Sequence, residues 1–288
     1  MALVASGQMD DVRARVVWKV AESAVVQSVL DFAIPTPAYL VEPVRRVGTY
    51  EGARSRIAML PVVREGRALM LTLDSGLELA WAHALVMHPD VSALYAQPFM
   101  LVWDHDEGSI VHIPDLTAVI DGQLVVFEVK PAFRRADPWI EARTALAQRS
   151  LGRAGTRYHL LSDVTRQMSM NLQILSGYRR PNPFLASEVR IALQSRSRSI
   201  GGVVEAICRE RAGEAYRPPQ SGAAGAAPET DFADGAHREK SQMASVRIGL
   251  EVAMHLLAVG HFHTNLDQPL RLSSVLSRQH PDVSSWAR

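Results

Sequence analysis

The sequence predicts an α/β fold in which a mixed β-sheet is flanked by helices and followed by a small helical C-terminal domain. Three observations carry this prediction. From Ser75 onwards the hydrophobic periodicity switches repeatedly between helical and extended patterns, which is typical of a sheet covered by helices. An Asp-Gly pair at 121 and 122 separates two β-branched runs, as in a hairpin. Beyond residue 182 the extended pattern largely gives way to short helices.

The region before Ser75 predicts one helix and one basic segment. Apolar residues near helical spacing predict a helix from Asp10 to Phe32, ended by prolines at 35 and 37. We interpret residues 1–42 as an N-terminal accessory helix and extension. Residues 43–70 carry six arginines against two glutamates. This composition is consistent both with an arm that contacts phosphates and with a solvated basic loop.

Residues 75–88 predict a helix whose first turn carries a capping box. Ser75 and Glu78 form the S-x-x-E pattern, in which the glutamate satisfies a free backbone N–H. Glu78 also shares a helical face with Trp81 and Leu85, and such a face packs on a sheet. Two roles for Glu78 therefore stay open: a helix cap, or a carboxylate that is turned toward the hairpin.

The remaining elements up to the boundary at Arg179-Arg180-Pro181 follow from the same periodicities. The first three are an extended segment from 91 to 102 broken at Gln97-Pro98, a turn at 104–109, and a segment at 109–113 that leads to Pro114-Asp115. The others are a helix at 137–152 opened by Pro138, a strand at 157–162 and a helix at 165–178. Residues 43–181 are thus predicted to form the main domain.

Residues 182–288 predict a second domain of winged-helix-like character. Short helices are expected at 186–195 and 200–211, and a disordered linker rich in Pro, Gly, Ala and Ser at 217–241. An amphipathic helix is expected from Gln242 to Val259, because Gly260 is a strong C-terminal signal. Residues 261–266 and 270–275 are expected to form a small hairpin.

The hairpin around Asp121-Gly122 places two carboxylates side by side. A type I′ turn needs positive φ at both central positions, and Asp-Gly is a favoured pair for it. A turn centred on this pair sets Asp115 opposite Glu128, with their Cβ atoms roughly 4.5–5.5 Å apart. Lys130 lies two residues beyond Glu128 and therefore points to the same face.

Two adjacent carboxylates repel each other unless a positive charge lies between them. A divalent cation such as Mg²⁺ prefers oxygen ligands and often uses one or two protein carboxylates. Lys130 could orient the attacking water or neutralise a substrate anion. The alternative is a surface hairpin with a Glu–Lys ion pair. His105 and His112 are possible further ligands, although neither has a second ligand at a suitable spacing.

The order of these motifs resembles a nuclease family. Pro114-Asp115, twelve further residues and Glu128-Val129-Lys130 match the PD-(D/E)XK nuclease signature. The wider order is similar to the TnsA-type endonuclease subunit of heteromeric cut-and-paste transposases, over about Arg45 to Arg180. The stretches that carry this similarity are Asp74-Ser75-Gly76-Leu77-Glu78, His88-Pro89-Asp90-Val91, Gln97-Pro98, Pro114-Asp115 and Glu128-Val129-Lys130-Pro131. Leu116 stands where the family often has an aromatic residue, which concerns packing.

The resemblance implies a restriction-endonuclease-like domain and a DNA endonuclease that depends on Mg²⁺, with Mn²⁺ able to substitute. It implies that Glu78, Asp115, Glu128 and Lys130 are catalytic. The three carboxylates would bind the metal, and Lys130 would position the attacking water. It also implies three partners: transposon-end DNA, a DDE-type TnsB-like transposase that processes the other strand, and a TnsC-like AAA+ ATPase.

Other functions remain open at this stage. The chain could be a stand-alone restriction or repair nuclease of the same superfamily, or a non-catalytic DNA-binding adaptor. In each case Arg54, Arg56, Arg134 and Arg135 are the candidate DNA-contacting side chains.

The composition is that of a globular protein without disulfides. The chain has 288 residues, enough for one large domain or two ordinary ones. Its one cysteine, Cys208, excludes an internal disulfide and a Cys-rich zinc site. No signal peptide is apparent, and no stretch approaches the ~20 apolar residues of a membrane span. We therefore expect a cytoplasmic protein that does not enter membranes, and the resemblance implies a bacterial one.

Overall fold

The computed structural model describes residues 14–45, 57–105, 108–179, 186–215 and 231–286. The chain divides into two compact units. The first comprises Met1–Thr165 together with Pro281–Arg288, and the second comprises Arg166–His280. This division differs from the predicted boundary after residue 181, because the helix that follows Thr165 belongs to the second unit. Both units together give a mixed α/β architecture, as predicted.

The N-terminal segment is a β-hairpin, so the predicted helix from Asp10 to Phe32 is wrong within the described residues. Strands β1 (Ala14–Val20) and β2 (Ser23–Ser28) pair antiparallel. Ala14, Val16 and Trp18 are buried at a spacing of two, which is the period of a strand. β-branched residues favour such a half-buried pleated surface over a helix.

Strand β1 belongs to an antiparallel sheet rather than to a separate accessory element. It pairs on one side with β2 and on the other with β7, and it also pairs with β3. Strand β8 then pairs with β7. The bounds are β3 (Val41–Glu42), β7 (Phe99–His105) and β8 (Gly108–His112). Trp18, Phe32 and Phe99 form an aromatic cluster at the centre of this sheet, with ring centroids 4.9–5.5 Å apart.

Part of the predicted basic segment forms a second hairpin, β4 (Ala58–Arg64) and β5 (Arg67–Leu73). Its arginines have structural partners. The Arg64 guanidinium lies 4.5 Å from the centre of the Tyr95 ring and donates to the carbonyl of Val41 at 3.2 Å. Arg67 lies 3.9 Å from the centre of the Tyr39 ring. Arg54 and Arg56 lie outside the described residues.

The predicted mixed sheet is present in the first unit. Its order is β11-β10-β9-β6, with β10 and β11 parallel and the other pairs antiparallel. Two helices pack on it: one contacts β6, β9 and β10, and the other contacts β11. The bounds are β6 (Val91–Ala96), β9 (Leu116–Ile120), β10 (Gln123–Val129), β11 (Arg157–Leu161), α1 (Gly76–Met87) and α2 (Pro138–Arg153).

The core places the end of strand β10 beside packed apolar side chains. Val126 on β10 and Tyr158 on β11 join a buried cluster with Leu146 and Leu151 of α2 and with Phe99 of β7. Glu128 follows Val126 by two residues, and side chains two apart on a strand point to the same face. The sheet therefore carries the Glu128 carboxylate at the edge of this core.

The second unit is helical in its described part. Its helices are α3 (Arg166–Ser176), α4 (Ala186–Gln194), α5 (Ile200–Ala215) and α6 (Asp231–Ala258). Helices α5 and α6 cross closely, since a Cβ added at Gly249 would lie 2.9 Å from the Cα of Val204. Gly260 has φ +78° just after α6, as the predicted C-terminal signal requires.

Two predictions for the second unit need correction. Residues 231–241, assigned to a disordered linker, form the start of α6, where Ala, Arg, Glu and Lys favour a helix. Residues 217–230 of that linker lie outside the described residues. The hairpin expected between 261–266 and 270–275 does not form; instead His263 bridges to Ser277, and Val275 bridges to Ser199. The segment is held by loop contacts, which periodicity does not reveal.

No helix in the described part of either unit combines the length and the apolar character needed to cross a membrane.

The N-terminal hairpin should be essential for stability, because it supplies the centre of a core. Replacing Trp18, which is fully buried, by Ala should lower the free energy of unfolding by about 3–5 kcal/mol. Val26→Ala on the same hairpin, at a side chain that is 55% exposed, should change it by less than about 0.5 kcal/mol. Urea unfolding measures both. Equal small effects would mean that the hairpin is not part of the core.

Candidate active site

The central hairpin has the predicted turn and register. Asp121 and Gly122 have φ values of 50° and 76°, as a type I′ turn requires. The paired residues run from Ile120 with Gln123 to Leu116 with Phe127. The next residues beyond this last pair are Asp115 and Glu128, so the predicted register is confirmed up to the site.

Asp115 lies directly before the first residue of β9, and a backbone contact fixes its carboxylate. The N–H of Val129 donates to Asp115 Oδ2 at 2.8 Å. The N–H of Gln97 donates to the carbonyl oxygen of Asp115 at 3.0 Å. The residue is 8% exposed. Its side chain is therefore held at the mouth of the site by the strands on either side.

Lys130 lies between the two carboxylates. Its Nζ is 2.7 Å from Glu128 Oε1 and 3.0 Å from Asp115 Oδ2. The positive charge that the opposed carboxylates require is therefore supplied by the chain itself. The predicted position of Lys130 on the face of Asp115 and Glu128 is confirmed.

Glu78 caps helix α1 and also lies in the site, so its two predicted roles coexist. Ser75 Oγ accepts from the Glu78 N–H at 3.1 Å and donates to Glu78 Oε1 at 2.9 Å. Glu78 Oε2 accepts from the N–H of Asp74 at 2.9 Å. The residue is 6% exposed. The cap thus holds the carboxylate in a buried position, where the charges of Asp115 and Lys130 act on it.

One cavity of about 350 Å³ brings the predicted catalytic residues together. Glu78, Asp115, Glu128 and Lys130 all line it. The other lining residues are Arg45, Asp74, Val111, His112, Ile113 and Arg143. Arg134 and Arg135 lie in and just after the short 3₁₀ helix Ala132–Arg134, close to Lys130 in sequence, but they do not line the cavity.

Arg143 is a member of the site that the sequence did not single out. It projects from α2, and its Nη2 donates to Glu128 Oε1 at 3.2 Å. Arg149 and Arg153 lie on the same helix, and no sequence signal separates Arg143 from them. Asp74 was noted only as part of a motif; it accepts from Gln97 Nε2 at 2.8 Å and pairs with Arg45.

A buried histidine faces the other oxygen of Glu128. His112 Nε2 lies 2.9 Å from the Tyr158 hydroxyl and 3.4 Å from Glu128 Oε2. Burial, together with the charges of Arg143 and Lys130, lowers the pKa of His112 to about 3, so the ring is neutral at pH 7. Glu128 Oε2 is buried and accepts no hydrogen bond from the described residues.

Burial disfavours the charged forms of the acidic side chains Glu78 and Glu128. Burial and the charge of Asp115 raise the pKa of Glu78 and the pKa of Glu128 to about 7 each. Burial alone would lower the pKa of Lys130, but the carboxylates of Asp115 and Glu128 outweigh it and raise that pKa. Lys130 is therefore an ammonium ion at neutral pH. A strongly perturbed group in a cleft is a feature of functional sites.

The donor set fits a hard cation by its chemistry. Within the part of the chain that the structure describes, no group of three or more His, Cys, Asp or Glu is arranged to hold a metal ion. Mg²⁺ often needs only one or two protein carboxylates and completes its shell with water and substrate phosphate. Asp115 and Glu128 meet that need, Glu78 lines the same cavity, and Glu128 Oε2 is left without a donor.

No protein-family model matches the sequence, and no curated protein is similar to it.

Stability should depend on pH through Glu78. An acid whose pKa rises from 4.5 to about 7 on folding stabilises the protein below pH 4.5, and this contribution is lost as the pH rises through 7. In the presence of a chelator, wild-type stability should therefore fall between pH 5 and pH 8. Glu78→Gln keeps the capping pattern and should remove about 2–3 kcal/mol of that fall.

Urea unfolding at both pH values measures this difference. Glu22→Gln, in the exposed turn between β1 and β2, is the matched control and should unfold as the wild type does at each pH. An unchanged pH dependence in Glu78→Gln would show that Glu78 titrates normally in the folded protein.

Proposed function

We propose that this protein is a metal-dependent endonuclease that hydrolyses phosphodiester bonds in DNA. One observation carries the proposal: three buried carboxylates, Glu78, Asp115 and Glu128, share one cavity with Lys130 and Arg143. The carboxylates suit a cation, and the two basic side chains suit a phosphate. Such a set of opposite charges does not help folding by itself, because burying charges is costly.

Asp115 and Glu128 would hold Mg²⁺, or Mn²⁺ in its place, with Glu78 in the wall of the same cavity. When bound, the cation supplies Lewis-acid stabilisation of the charge that develops on the phosphoryl oxygens and lowers the pKa of the attacking water. The protein's own part is positioning. The Val129 N–H fixes Asp115, while Lys130 and Arg143 both contact Oε1 of Glu128 and so restrain the position of that oxygen.

Lys130 acts as a cation and a hydrogen-bond donor rather than as a base. Its raised pKa keeps the amine protonated at neutral pH. An ammonium group has three donors; here they meet Asp115 at 3.0 Å, Glu128 at 2.7 Å and the carbonyl oxygen of Val129 at 3.1 Å. In the reaction Lys130 would orient the attacking water and offset negative charge on the phosphate. Arg143 would offset charge from the side of helix α2.

The motif order extends the proposal to a TnsA-like subunit of a cut-and-paste transposase. Such a subunit would cut at transposon ends, beside a TnsB-like DDE transposase and under a TnsC-like AAA+ ATPase. The net charge of +1 is consistent with a protein whose DNA is delivered by a partner, since phosphate contacts dominate the affinity for DNA. The intact charged cavity supports a catalytic protein over the non-catalytic adaptor, which would not need it.

Asp115 is the residue that best tests the site. Asp115→Ala and Asp115→Asn should lower the rate of cleavage by at least about 100-fold. The reason is that a carboxylate that holds the catalytic metal helps to lower the activation barrier by several kcal/mol. DNA binding should change by less than about twofold. Asp31→Asn, an exposed carboxylate of the same unit, should cleave like the wild type.

Metal binding gives a readout that does not depend on cleavage. Mg²⁺ or Mn²⁺ should raise the Tm of the wild type, since a ligand that binds only the folded state stabilises it. This rise should be absent in Asp115→Asn and normal in Asp31→Asn. Full cleavage by Asp115→Ala with Mg²⁺ would show that the active site is elsewhere.

Dependence on a partner separates a transposase subunit from a stand-alone nuclease. The purified protein should cut generic duplex DNA little or not at all in Mg²⁺, and it should cut clearly when the transposase and transposon-end DNA are added. The Asp115→Ala protein should enter the same assembly and leave only the cuts of the transposase. Robust cleavage without partners at physiological salt would assign the chain to the stand-alone nucleases.

A further inference from the structure

Phe133 is the most exposed large hydrophobic side chain in the described part of the chain, at 82%. It lies in the 3₁₀ helix Ala132–Arg134, which begins two residues after Lys130. An aromatic ring in water gains nothing from the fold, and a single exposed apolar residue needs no explanation by itself. The position of this ring beside the active-site lysine is what gives it meaning.

The backbone presents Phe133 in a fixed place. The N–H of Arg134 donates to Pro131 at 2.9 Å, and the N–H of Arg135 donates to Ala132 at 3.1 Å. The N–H of Ala132 donates to the carboxylate of Asp163 at 3.2 Å. The turn is thus tied at both ends while the Phe133 ring stays exposed. This differs from a ring that is exposed because its segment lacks order.

Phe133 is close enough to reach a substrate bound in the cavity. Three residues of chain span at most about 10 Å, and the chain starts here at Lys130 in the cavity wall. Phosphates follow one another along one strand of DNA at intervals of roughly 3.4 Å of helix axis. The main-chain positions of Phe133 and Lys130 therefore lie no farther apart than about three nucleotides along one strand.

The surrounding charges favour a nucleic acid over an apolar partner. Exposed Arg134 follows Phe133 directly, Arg135 comes next, and Lys130 precedes them. An aromatic ring flanked by basic side chains is the combination that binds single-stranded nucleic acid, because bases stack on the ring while the cations contact phosphates. The carboxylate of Asp163 accepts from the backbone N–H of Ala132 in the same turn.

We propose that Phe133 stacks on an unpaired base of the bound strand beside the phosphate to be cut, with Arg134 contacting a neighbouring phosphate. This inference rests on the proposed nuclease function and names a feature of its substrate. DNA that is already unpaired or mismatched near the cut is preferred, because the cost of unstacking the base has then been met. Fully paired DNA must first be opened, by a partner or by strain.

Binding to DNA that carries 2-aminopurine tests the proposal. The probes are two short duplexes, one with a three-nucleotide single-stranded gap that contains 2-aminopurine and one fully paired. Binding is measured in a chelator and in the Asp115→Asn background, so that no strand is cut. Phe133→Ala should weaken binding to the gapped probe by roughly 5- to 150-fold and remove the fluorescence quenching that stacking causes. Binding to the paired probe should change by less than about twofold.

Two further variants make the test specific. Phe133→Trp keeps an aromatic face and should retain both affinity and quenching. Leu30→Ala is the matched control, since Leu30 is also an exposed apolar residue of a 3₁₀ helix in the first unit, Val29–Asp31. Leu30→Ala should bind both probes as its parent does, the Asp115→Asn protein without further changes.

The outcomes separate this inference from the function on which it rests. Equal binding of the gapped probe by the Phe133→Ala protein and its parent would overturn the stacking role, even if the wild type cuts transposon ends. Suppose instead that Phe133→Ala leaves DNA binding unchanged but abolishes the cleavage that depends on the transposase. That result would also overturn the stacking role and would make Phe133 a contact for the partner protein. A wild type that neither binds these probes nor cuts with its partners would overturn the nuclease function and the stacking role together.

Discussion

The whole site depends on the register of one hairpin. Asp121 and Gly122 adopt positive φ, and this turn determines which residues of β9 and β10 face each other. A slip of one residue would turn Glu128 to the opposite face of the sheet. It would also break the hydrogen bond of 2.8 Å that the Val129 N–H donates to the Asp115 carboxylate at the site. The turn lies at the far end of these strands, yet it sets the geometry of the carboxylates.

The charges in the cavity balance one another at a cost to the fold. Glu78 and Glu128 have pKa values near 7 because burial and the charge of Asp115 disfavour their ionised forms. Lys130 and Arg143 offset part of this, and removing one partner of a buried ion pair typically costs about 3–5 kcal/mol. The fold accepts these charges because rigid elements hold them: the cap of α1, the end of β10 and helix α2.

Local rules explain which elements the sequence predicted. The Asp-Gly turn, the capping box at Ser75 and the Asp137-Pro138 start of α2 are each determined by a few adjacent residues, and all three were predicted. The N-terminal strands were mistaken for a helix, because valines in two short strands matched helical spacing. The hairpin expected in the second unit does not form, because His263 pairs with Ser277 and Val275 pairs with Ser199, so the two expected strands do not pair with each other.

The candidate site was predictable only where its residues share an element or a motif. Asp115, Glu128 and Lys130 follow from the hairpin register. Arg143 does not, because its approach to Glu128 depends on how α2 packs beside β11 after the chain leaves β10. The same holds for Tyr158, which the parallel pairing of β10 and β11 sets opposite Val126. Such contacts are tertiary and leave no local pattern in the sequence.

The distribution of contacts on Glu128 reconciles the lysine with a cation in the same cavity. Lys130 and Arg143 both contact Oε1, at 2.7 and 3.2 Å. Oε2 faces His112 at 3.4 Å, and that ring is neutral because burial lowers its pKa to about 3. One oxygen of the carboxylate is thus saturated, while the other is buried beside a group that brings no charge. A buried acceptor without a donor is costly in a folded protein. In the proposed function, a hard cation would satisfy Oε2 without displacing Lys130 from Oε1, and both positive groups would then act on the same phosphate.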